Sequence, residues 1–215
     1  MSKSQQAFPM HSQRLLIPAT AENFDELAYL RANPDVAAAV ARRELASGAE
    51  HFKAFGTIEQ RKIRLNPSAE LRAAKRERVL PLLRTDVEVK DTKGVIDTLS
   101  PALREAFRIV DTDNVSAHEY DQRVLDLITR HANGLVLDCG AGLRNSYFAH
   151  VVNYEIVAYD STDVLGVAEC LPFKDDSFDA VISLNVLEHV KDPFRAAKEL
   201  MRVLKPGGEL MCCVP

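Results

Sequence analysis

Leu135-Val136-Leu137-Asp138-Cys139-Gly140-Ala141-Gly142 is the stretch that decides the fold of this chain. Apolar residues run into an acid, and two glycines follow at alternate positions. A short apolar run that ends in glycine is typical of a buried parallel strand feeding a tight turn. Glycine allows the backbone to turn sharply and to approach a ligand closely. The stretch therefore predicts a strand whose carboxyl end opens onto a binding site.

The acid in this turn, Asp138, restricts the kind of ligand. A phosphate-binding turn offers hydrogen-bond donors and avoids negative charge, because phosphate oxygens are anionic acceptors. A carboxylate instead favours a ligand that is cationic or rich in hydroxyl and amine donors. The dinucleotide pattern G-x-G-x-x-G, counted from Gly140, would need a small residue where the chain has Asn145. Both residues disfavour a nicotinamide dehydrogenase.

Further blocks follow this turn along the chain. They are residues 168–173 (AECLPF), 177–182 (SFDAVI), 186–190 (VLEHV) and 204–208 (LKPGG). Together with residues 138–142 they resemble, in order, the motifs of class I S-adenosylmethionine-dependent methyltransferases of the type 11-like group, over residues 135–214. The resemblance implies an α/β fold, namely a Rossmann-like, mostly parallel sheet with flanking helices, preceded here by a small α-helical region. It also implies S-adenosylmethionine as the cofactor.

Residues 155–160 (EIVAYD) predict the second parallel strand, which would end at Asp160. A carboxylate at that point can accept hydrogen bonds from both ribose hydroxyls of a nucleoside. We therefore assign Asp160 to the ribose, with Ser161 beside it. The following connection is too short for a crossover helix, which normally needs a dozen or more residues. A loop with at most a very short strand is expected there.

The adenine end of the site departs from the family pattern. The family often has an acid before the Ala-Glu pair, and this chain has Val167 there. Adenine is then expected against backbone groups near Ala168 and Glu169 and against the side chain of Leu171. The cofactor site implied by the resemblance comprises Asp138, Cys139, Gly140, Ala141, Gly142, Asp160, Ser161, Ala168, Glu169, Leu171 and Asn185.

The loop after the predicted strand 178–184 carries the catalytic candidates. Asn185 can face the methionine portion or the acceptor, and Glu188 or His189 can serve as a general base. The same acid-histidine pair can instead brace the loop. A base is not compulsory, because the sulfonium makes the methyl group electrophilic and alignment alone can drive transfer. A hydroxyl acceptor would make a base more necessary.

Composition excludes several other classes. The net charge of −4 gives no reason to expect nucleic-acid binding. The first residues lack the apolar core of a secretory signal, and no apolar run approaches membrane-spanning length, so a cytoplasmic location is expected. The cysteines show neither a CxxC spacing nor a zinc-like interval to histidine, so no metal is expected. These free thiols are Cys139, Cys170, Cys212 and Cys213.

The chain before the motifs divides into three predicted parts. Residues 1–20 are a flexible polar tail, residues 21–66 a small helical module, and residues 67–115 a basic helix with a linker. The module carries YLxxNPDV and EHFxxFG patterns that resemble a unit accompanying bacterial enzymes of surface-polysaccharide metabolism. A plain three-helix packing unit fits the same residues. The methyltransferase domain would occupy residues 116–215.

Two helices are predicted around the third part. The basic one, Ser68 to Val79, lies within a run of eight Lys or Arg at positions 61, 62, 64, 72, 75, 76, 78 and 84. Such a helix either docks on an anionic surface or is simply solvated. Residues 116–119 (SAHE) match a capping box, so a helix from Ser116 to about Gly134 is expected. The methyltransferase resemblance implies that its first residues, Ser116 to Tyr120, are a candidate edge of the active site.

Two functions remain open. The leading one is methyl transfer to a small-molecule or glycan-linked acceptor. The alternative is a non-catalytic methyltransferase-fold binding or scaffold module associated with surface-polysaccharide metabolism. Three features favour it: the short connection, Val167, and the lack of the two strands with which the family's sheet normally continues after the fifth. The last strand, 209–214, would be an exposed apolar edge, which proteins usually avoid. We therefore expect either a truncated chain or a strand-pairing or oligomer contact at that edge.

Overall fold

A computed structural model describes residues 12–92, 94–110, 112, 117 and 119–214. The described residues form two compact units, residues 13–66 and residues 67–214, and Ser12 belongs to the second. Among the described residues, no helix is long and apolar enough to cross a membrane.

The first unit is mainly helical. Its elements are β1 (Ser12–Arg14), β2 (Leu16–Pro18), α1 (Glu26–Ala32), α2 (Pro34–Ala41), α3 (Gly48–His51) and β3 (Lys62–Arg64). Asp25 caps α1, and its side chain accepts from the N–H of Ala28 at 2.8 Å. Proline begins α2, as the sequence predicts, because its fixed φ suits the first turn of a helix. A small core around the fully buried Tyr29 holds the helices on the β2–β3 pair.

The second unit contains the main sheet. Its elements are α4 (Ala69–Val79), β4 (Lys90–Thr92), β5 (Val95–Asp97), α5 (Pro101–Phe107), α6 (Gln122–Arg130), β6 (Val136–Cys139), β7 (Ser146–Phe148), β8 (Val151–Glu155), β9 (Val164–Leu165), β10 (Phe178–Leu184), α7 (Pro193–Val203) and β11 (Leu204–Cys213). Within the described part of the chain, seven strands lie in the order β11-β10-β6-β8-β9-β5-β4. All neighbours are parallel except β5 and β4. The predicted Rossmann-like, mostly parallel sheet with flanking helices is confirmed.

The prediction for the second parallel strand is wrong. The strand is Val151–Glu155, not residues 155–160, and its first residue pairs with Val136 of β6. The chain reaches this strand through the short strand β7, and residues 140–150 contain no crossover helix. The buried run 151–154 therefore takes the place beside β6, and the later apolar residues 156–158 form a loop.

The helix before β6 also begins later than predicted. Its N-cap is Asp121, whose side chain accepts from the N–H of Val124 at 2.9 Å, and it ends at Arg130. Ser116, the predicted cap, lies outside the described residues. Within the helix, Val124 is the first residue of the apolar cluster on the sheet, so a cap at Asp121 places it in the first turn.

Residues expected to form a basic helix and linker belong to the second unit. Helix α4 has the predicted bounds, with Ser68 as its cap, yet Lys75 of the basic run is only 1% exposed. Strands β4 and β5 extend the sheet beyond β9, where Ile96 pairs with Val164. At the opposite end, β11 begins at Leu204 rather than at residue 209, and a register shift beside β10 accommodates the glycine pair.

Candidate functional site

A cleft of about 620 Å³ opens at the carboxyl ends of the central strands, where ligands bind in open parallel sheets. Its walls come from the turn after β6, the end of β8, the segment after β9 and the loop after β10. The residues that line it are Phe107, Glu119, Asp121, Cys139, Gly140, Ala141, Gly142, Arg144, Tyr154, Glu155, Ile156, Tyr159, Gly166, Ala168, Glu169, Leu184, Asn185, Val186, His189, Val190 and Lys191.

The glycine turn after β6 depends on both of its glycines. Gly140 has φ +74° and Gly142 has φ +61°, conformations that side chains disfavour. A Cβ on Gly140 would also lie 2.2 Å from Cγ2 of Val186. The N–H of Gly142 donates to Oε2 of Glu155 at 2.7 Å, which holds the turn against the end of β8. The turn thus presents main chain, without side chains at its glycines, to the cleft.

Asp138 does not line this cleft. Its carboxylate is fully buried and accepts from Arg144 at two oxygens, with Nε at 2.8 Å and Nη2 at 3.1 Å. The hydroxyl of Tyr120 donates to the same carboxylate at 2.6 Å, and the guanidinium carbon of Arg144 lies 4.3 Å from the Tyr120 ring centroid. Burial raises the pKa of Tyr120 well above its ordinary value, and the Asp138 charge adds to the shift. The structure therefore places Asp138 behind the turn, as its support.

Glu155 stands where a ribose-binding acid is needed, at the end of β8 and facing the cleft. Its second oxygen, Oε1, accepts from the N–H of Ile156 at 2.8 Å. Burial raises the pKa of this carboxyl above its ordinary value, although the two N–H donors oppose the shift. A carboxylate offers about four acceptor positions, so about two remain for hydroxyl groups.

Asp160, the predicted ribose acid, does not line the cleft. It lies in the loop after β8, and its main-chain carbonyl accepts from Arg72. Ser161 is fully buried, and its Oγ accepts from the N–H of Arg144 at 3.1 Å. It therefore supports the glycine turn from behind. The apolar run at residues 151–155 (VVNYE) also ends in an acid, and this signal in the sequence could have indicated Glu155.

The predicted adenine residues divide between the cleft and the core. Ala168 and Glu169 line the cleft, whereas Leu171 is fully buried outside it. Oε1 of Glu169 accepts from the N–H groups of Lys191 at 2.8 Å and Asp192 at 3.4 Å. Glu169 thus fixes the loop that leads into α7.

The catalytic candidates also divide. Asn185 and His189 line the cleft, but Glu188 is exposed outside it. Asn185 has φ +54°, and its N–H donates to the carbonyl of Cys213 at 2.9 Å. This bond connects the loop after β10 to the neighbouring strand β11. Of the acid-histidine pair, only His189 is placed to act on a ligand.

Several residues of the cleft escaped the sequence analysis. Phe107, at the end of α5, is one wall, and Nζ of Lys191 lies 5.0 Å from its ring centroid while donating to the carbonyl of Ala106. Tyr159 also lines the cleft. No local pattern marks Phe107, Lys191 or Tyr159, because only the folded sheet brings them together. Glu119 lines the cleft as well, and it lies in the stretch predicted at the edge of the active site. In the part of the chain that the structure describes, no group of three or more His, Cys, Asp or Glu could hold a metal ion.

Comparison with known proteins agrees with this geometry. Residues 135–212 match the family described as "Methyltransferase domain". This region is a class I S-adenosylmethionine-dependent methyltransferase domain. S-adenosylmethionine is the cofactor that goes with it. The matched region contains the glycine turn, Glu155 and the loop after β10, and so includes most of the cleft.

Curated relatives of this methyltransferase domain are similar over short regions. A demethylmenaquinone methyltransferase of Clavibacter sepedonicus is 48% identical over 59 residues, which are 27% of this chain and 21% of that protein. An uncharacterized methyltransferase of Mycolicibacterium vanbaalenii is 49% identical over 91 residues, covering 34% of this chain and 36% of that protein. The chain thus spans well under half of the length of these relatives.

Solved structures are similar over a comparable region. A SAM-dependent methyltransferase of Thermotoga maritima, described as a possible histamine N-methyltransferase, is 31% identical, with a TM-score of 0.29. The match covers 37% of this chain and 43% of that one. A likeness this partial has no bearing on the acceptor.

Proposed function

We propose that the cleft binds S-adenosylmethionine and that the protein transfers its methyl group to a small-molecule or glycan-linked acceptor. The position of Glu155 carries this proposal, because an acid ends the second strand beside a glycine turn and keeps acceptor capacity for ribose hydroxyls. The match of residues 135–212 to methyltransferase domains supports it independently.

The residues of the cleft fit the cofactor. A volume of about 620 Å³ lies within the range of about 300–1,000 Å³ that is typical of cofactor sites. Glu155 would hold the ribose, and the segment at Ala168 and Glu169 would hold the adenine. Main chain at residues 140–142 and the side chain of Asn185 would face the methionine portion.

Catalysis would rest mainly on alignment. The bound cofactor would supply an electrophilic methyl group, and the cleft would hold this group in line with the acceptor. His189 is the side chain we assign to accept a proton from a hydroxyl acceptor, since it lines the cleft and Glu188 does not. We place this activity in the cytoplasm, because all four cysteines are free thiols.

The test is a calorimetric titration with S-adenosylmethionine of three proteins: the wild type, Glu155→Gln and Asp160→Asn. Glu155→Gln removes the charge but keeps the shape, and we expect it to raise the Kd about tenfold to a hundredfold, since a hydrogen bond to a charged group contributes about 1.5–3 kcal/mol. Asp160→Asn is the matched control and should leave the Kd unchanged.

The three titrations distinguish between the proposed function and its alternatives. A loss of affinity in Asp160→Asn alone would overturn the assignment of Glu155. A wild type that does not bind S-adenosylmethionine would overturn the proposal and favour a non-catalytic binding or scaffold module. Saturable binding by the wild type would move the work to acceptor screening with hydroxyl and amine compounds, including glycans.

A further inference from the structure

The connection between β8 and β9, residues 156–163, is held by helix α4, which lies far earlier in the chain. Arg72 of α4 donates to the carbonyl oxygens of Asp160 and of Thr162, the latter at 2.7 Å. One side chain therefore fixes two peptide groups of the connection. The rigid planar fork of a guanidinium suits this task, because it presents several donors at once.

Lys75, on the same helix, holds the far end of the connection. Its Nζ lies 2.7 Å from Oδ2 of Asp163 and 3.3 Å from the ring centroid of Tyr147. The hydroxyl of Tyr147 donates to the other oxygen of Asp163, and the N–H of Asn153 in β8 donates to Oδ2 at 2.8 Å. Lys75 is 1% exposed and Asp163 is 7% exposed, so this pair is shielded from water.

The opposite side of the connection contacts the cofactor cleft. Glu155 immediately precedes it, and Tyr159 within it lines the cleft. Ser161 accepts from the N–H of Arg144 and so supports the glycine turn. A continuous set of contacts therefore runs from α4 through the connection to the turn.

We propose that Arg72 and Lys75 are positioning residues of the cofactor cleft. They hold residues 156–163 so that Tyr159 faces the cleft and Ser161 supports the glycine turn. Residues 156–163 contain no crossover helix that could do this. The inference rests on the proposed function and extends it to side chains that do not line the cleft.

The first test is amide hydrogen exchange in the 215-residue chain without ligand, comparing the wild type, Arg72→Ala and Arg78→Ala. Arg78 is the matched control, since it lies on the same helix but donates to the carbonyl of Gly134. The reporting amides are those of Asp163 and Arg144, and the amides of α7 are the reference. We expect Arg72→Ala to speed exchange at Asp163 and Arg144 at least tenfold and to leave exchange in α7 unchanged. Arg78→Ala should leave exchange unchanged at Asp163, at Arg144 and in α7.

The second test is the Kd for S-adenosylmethionine. Arg72→Ala should weaken binding about tenfold, and Arg72→Lys should recover only part of it, because an ammonium cannot bridge the two carbonyls in the same way. Lys75→Met combined with Asp163→Asn removes the buried pair as a unit and should weaken binding similarly.

Three outcomes would overturn the proposal. They are exchange in Arg72→Ala that matches Arg78→Ala, exchange that speeds equally in α7, and faster exchange at the reporters with an unchanged Kd. A wild type that does not bind S-adenosylmethionine would instead refute the proposed function, and the exchange data would still decide whether Arg72 holds the connection.

Discussion

The turn after β6 and the connection after β8 border the same cleft but are held in different ways. Residues 140–145 are held by a side chain from within the turn, because Arg144 binds Asp138, six positions earlier in the chain. Residues 156–163 are fixed from outside, by Arg72 and by Lys75, which are 90 and 88 positions away from their partners. The first arrangement is local and recognisable as a motif, whereas the second exists only in the folded sheet.

The largest expected effect on stability concerns the ion pair between Asp138 and Arg144, which supports the glycine turn. Asp138→Asn leaves the guanidinium of Arg144, which is 5% exposed, without its charged partner. Removing one member of a buried ion pair typically costs about 3–5 kcal/mol, so we expect a loss of that size in the free energy of unfolding. Urea denaturation at pH 7 measures it. The double variant Asp138→Asn/Arg144→Met should recover most of the loss, and a single variant that costs less than about 1 kcal/mol would contradict the role of the pair.

The contact between α4 and residues 156–163 can be tested through the protonation of Lys75. Burial, aided by Arg72 and opposed by Asp163, lowers the pKa of Lys75 from 10.5 to about 8. Between these values the unfolded chain binds more protons than the folded one, so stability should rise as pH increases through this window. The expected gain is roughly 2–3 kcal/mol.

The matched control for this pH dependence is the double variant Lys75→Met/Asp163→Asn, which lacks the titrating lysine and its partner. The difference in unfolding free energy between wild type and this variant should grow in favour of the wild type from pH 8 to pH 10.5. A difference that stays constant over that window would contradict the lowered pKa.

Two glycines distinguish conformational strain from steric conflict in the turn. Gly140→Ala and Gly207→Ala both force a side chain into positive φ, which costs about 1–2 kcal/mol. Only Gly140 has a neighbour, Val186, in the way of a Cβ, whereas nothing lies within 4 Å of that position at Gly207. We expect Gly140→Ala to cost about 1–3 kcal/mol more than Gly207→Ala in urea denaturation. Combining it with Val186→Ala should remove this excess; equal costs would mean that the turn can move aside.

The smallest expected effect is on the pH dependence of cofactor binding. The pKa of Glu155 is raised by burial, so its carboxylate should become protonated at a pH above that of an ordinary glutamate. Affinity for S-adenosylmethionine should then fall on acidification, by about tenfold, or about 1.4 kcal/mol, at one pH unit below the raised pKa. Calorimetry from pH 8 to pH 5 measures this. Glu155→Gln should show a nearly constant affinity, and a parallel decline in that variant would assign the effect to another group.

The parts of the fold that sequence predicts well are those set by neighbouring residues. Strand β10 has the predicted bounds, and α7 begins directly after Asp192, whose side chain accepts from the N–H of Arg195 at 3.0 Å. The glycine turn follows β6 as the motif indicates. In each case, hydrophobic periodicity, a cap or a glycine acts within a few positions, so the pattern contains the physical cause.

The failures have non-local causes. Residues 151–155 and 155–160 are both apolar runs that end in an acid, and only pairing with β6 selects the first. We therefore propose Glu155 rather than Asp160 as the ribose-binding acid. The basic run gave no sign that Lys75 would be buried, because its partner Asp163 is 88 positions away. Phe107 lines the cleft only because β5 pairs with β9 in the sheet and α5 directly follows β5 in the chain.

The added strands β4 and β5 have a consequence for how the chain can be divided. Because β5 occupies the side of β9 away from β8, a fragment starting at residue 116 would contain the whole methyltransferase motif yet expose the backbone donors and acceptors of β9. It would also uncover the apolar cluster that Val95 and Leu99 form with Leu165. Such an open edge recruits strands from other molecules. The region recognisable as a methyltransferase is therefore smaller than the stretch of chain that forms the main sheet, which begins at Lys90.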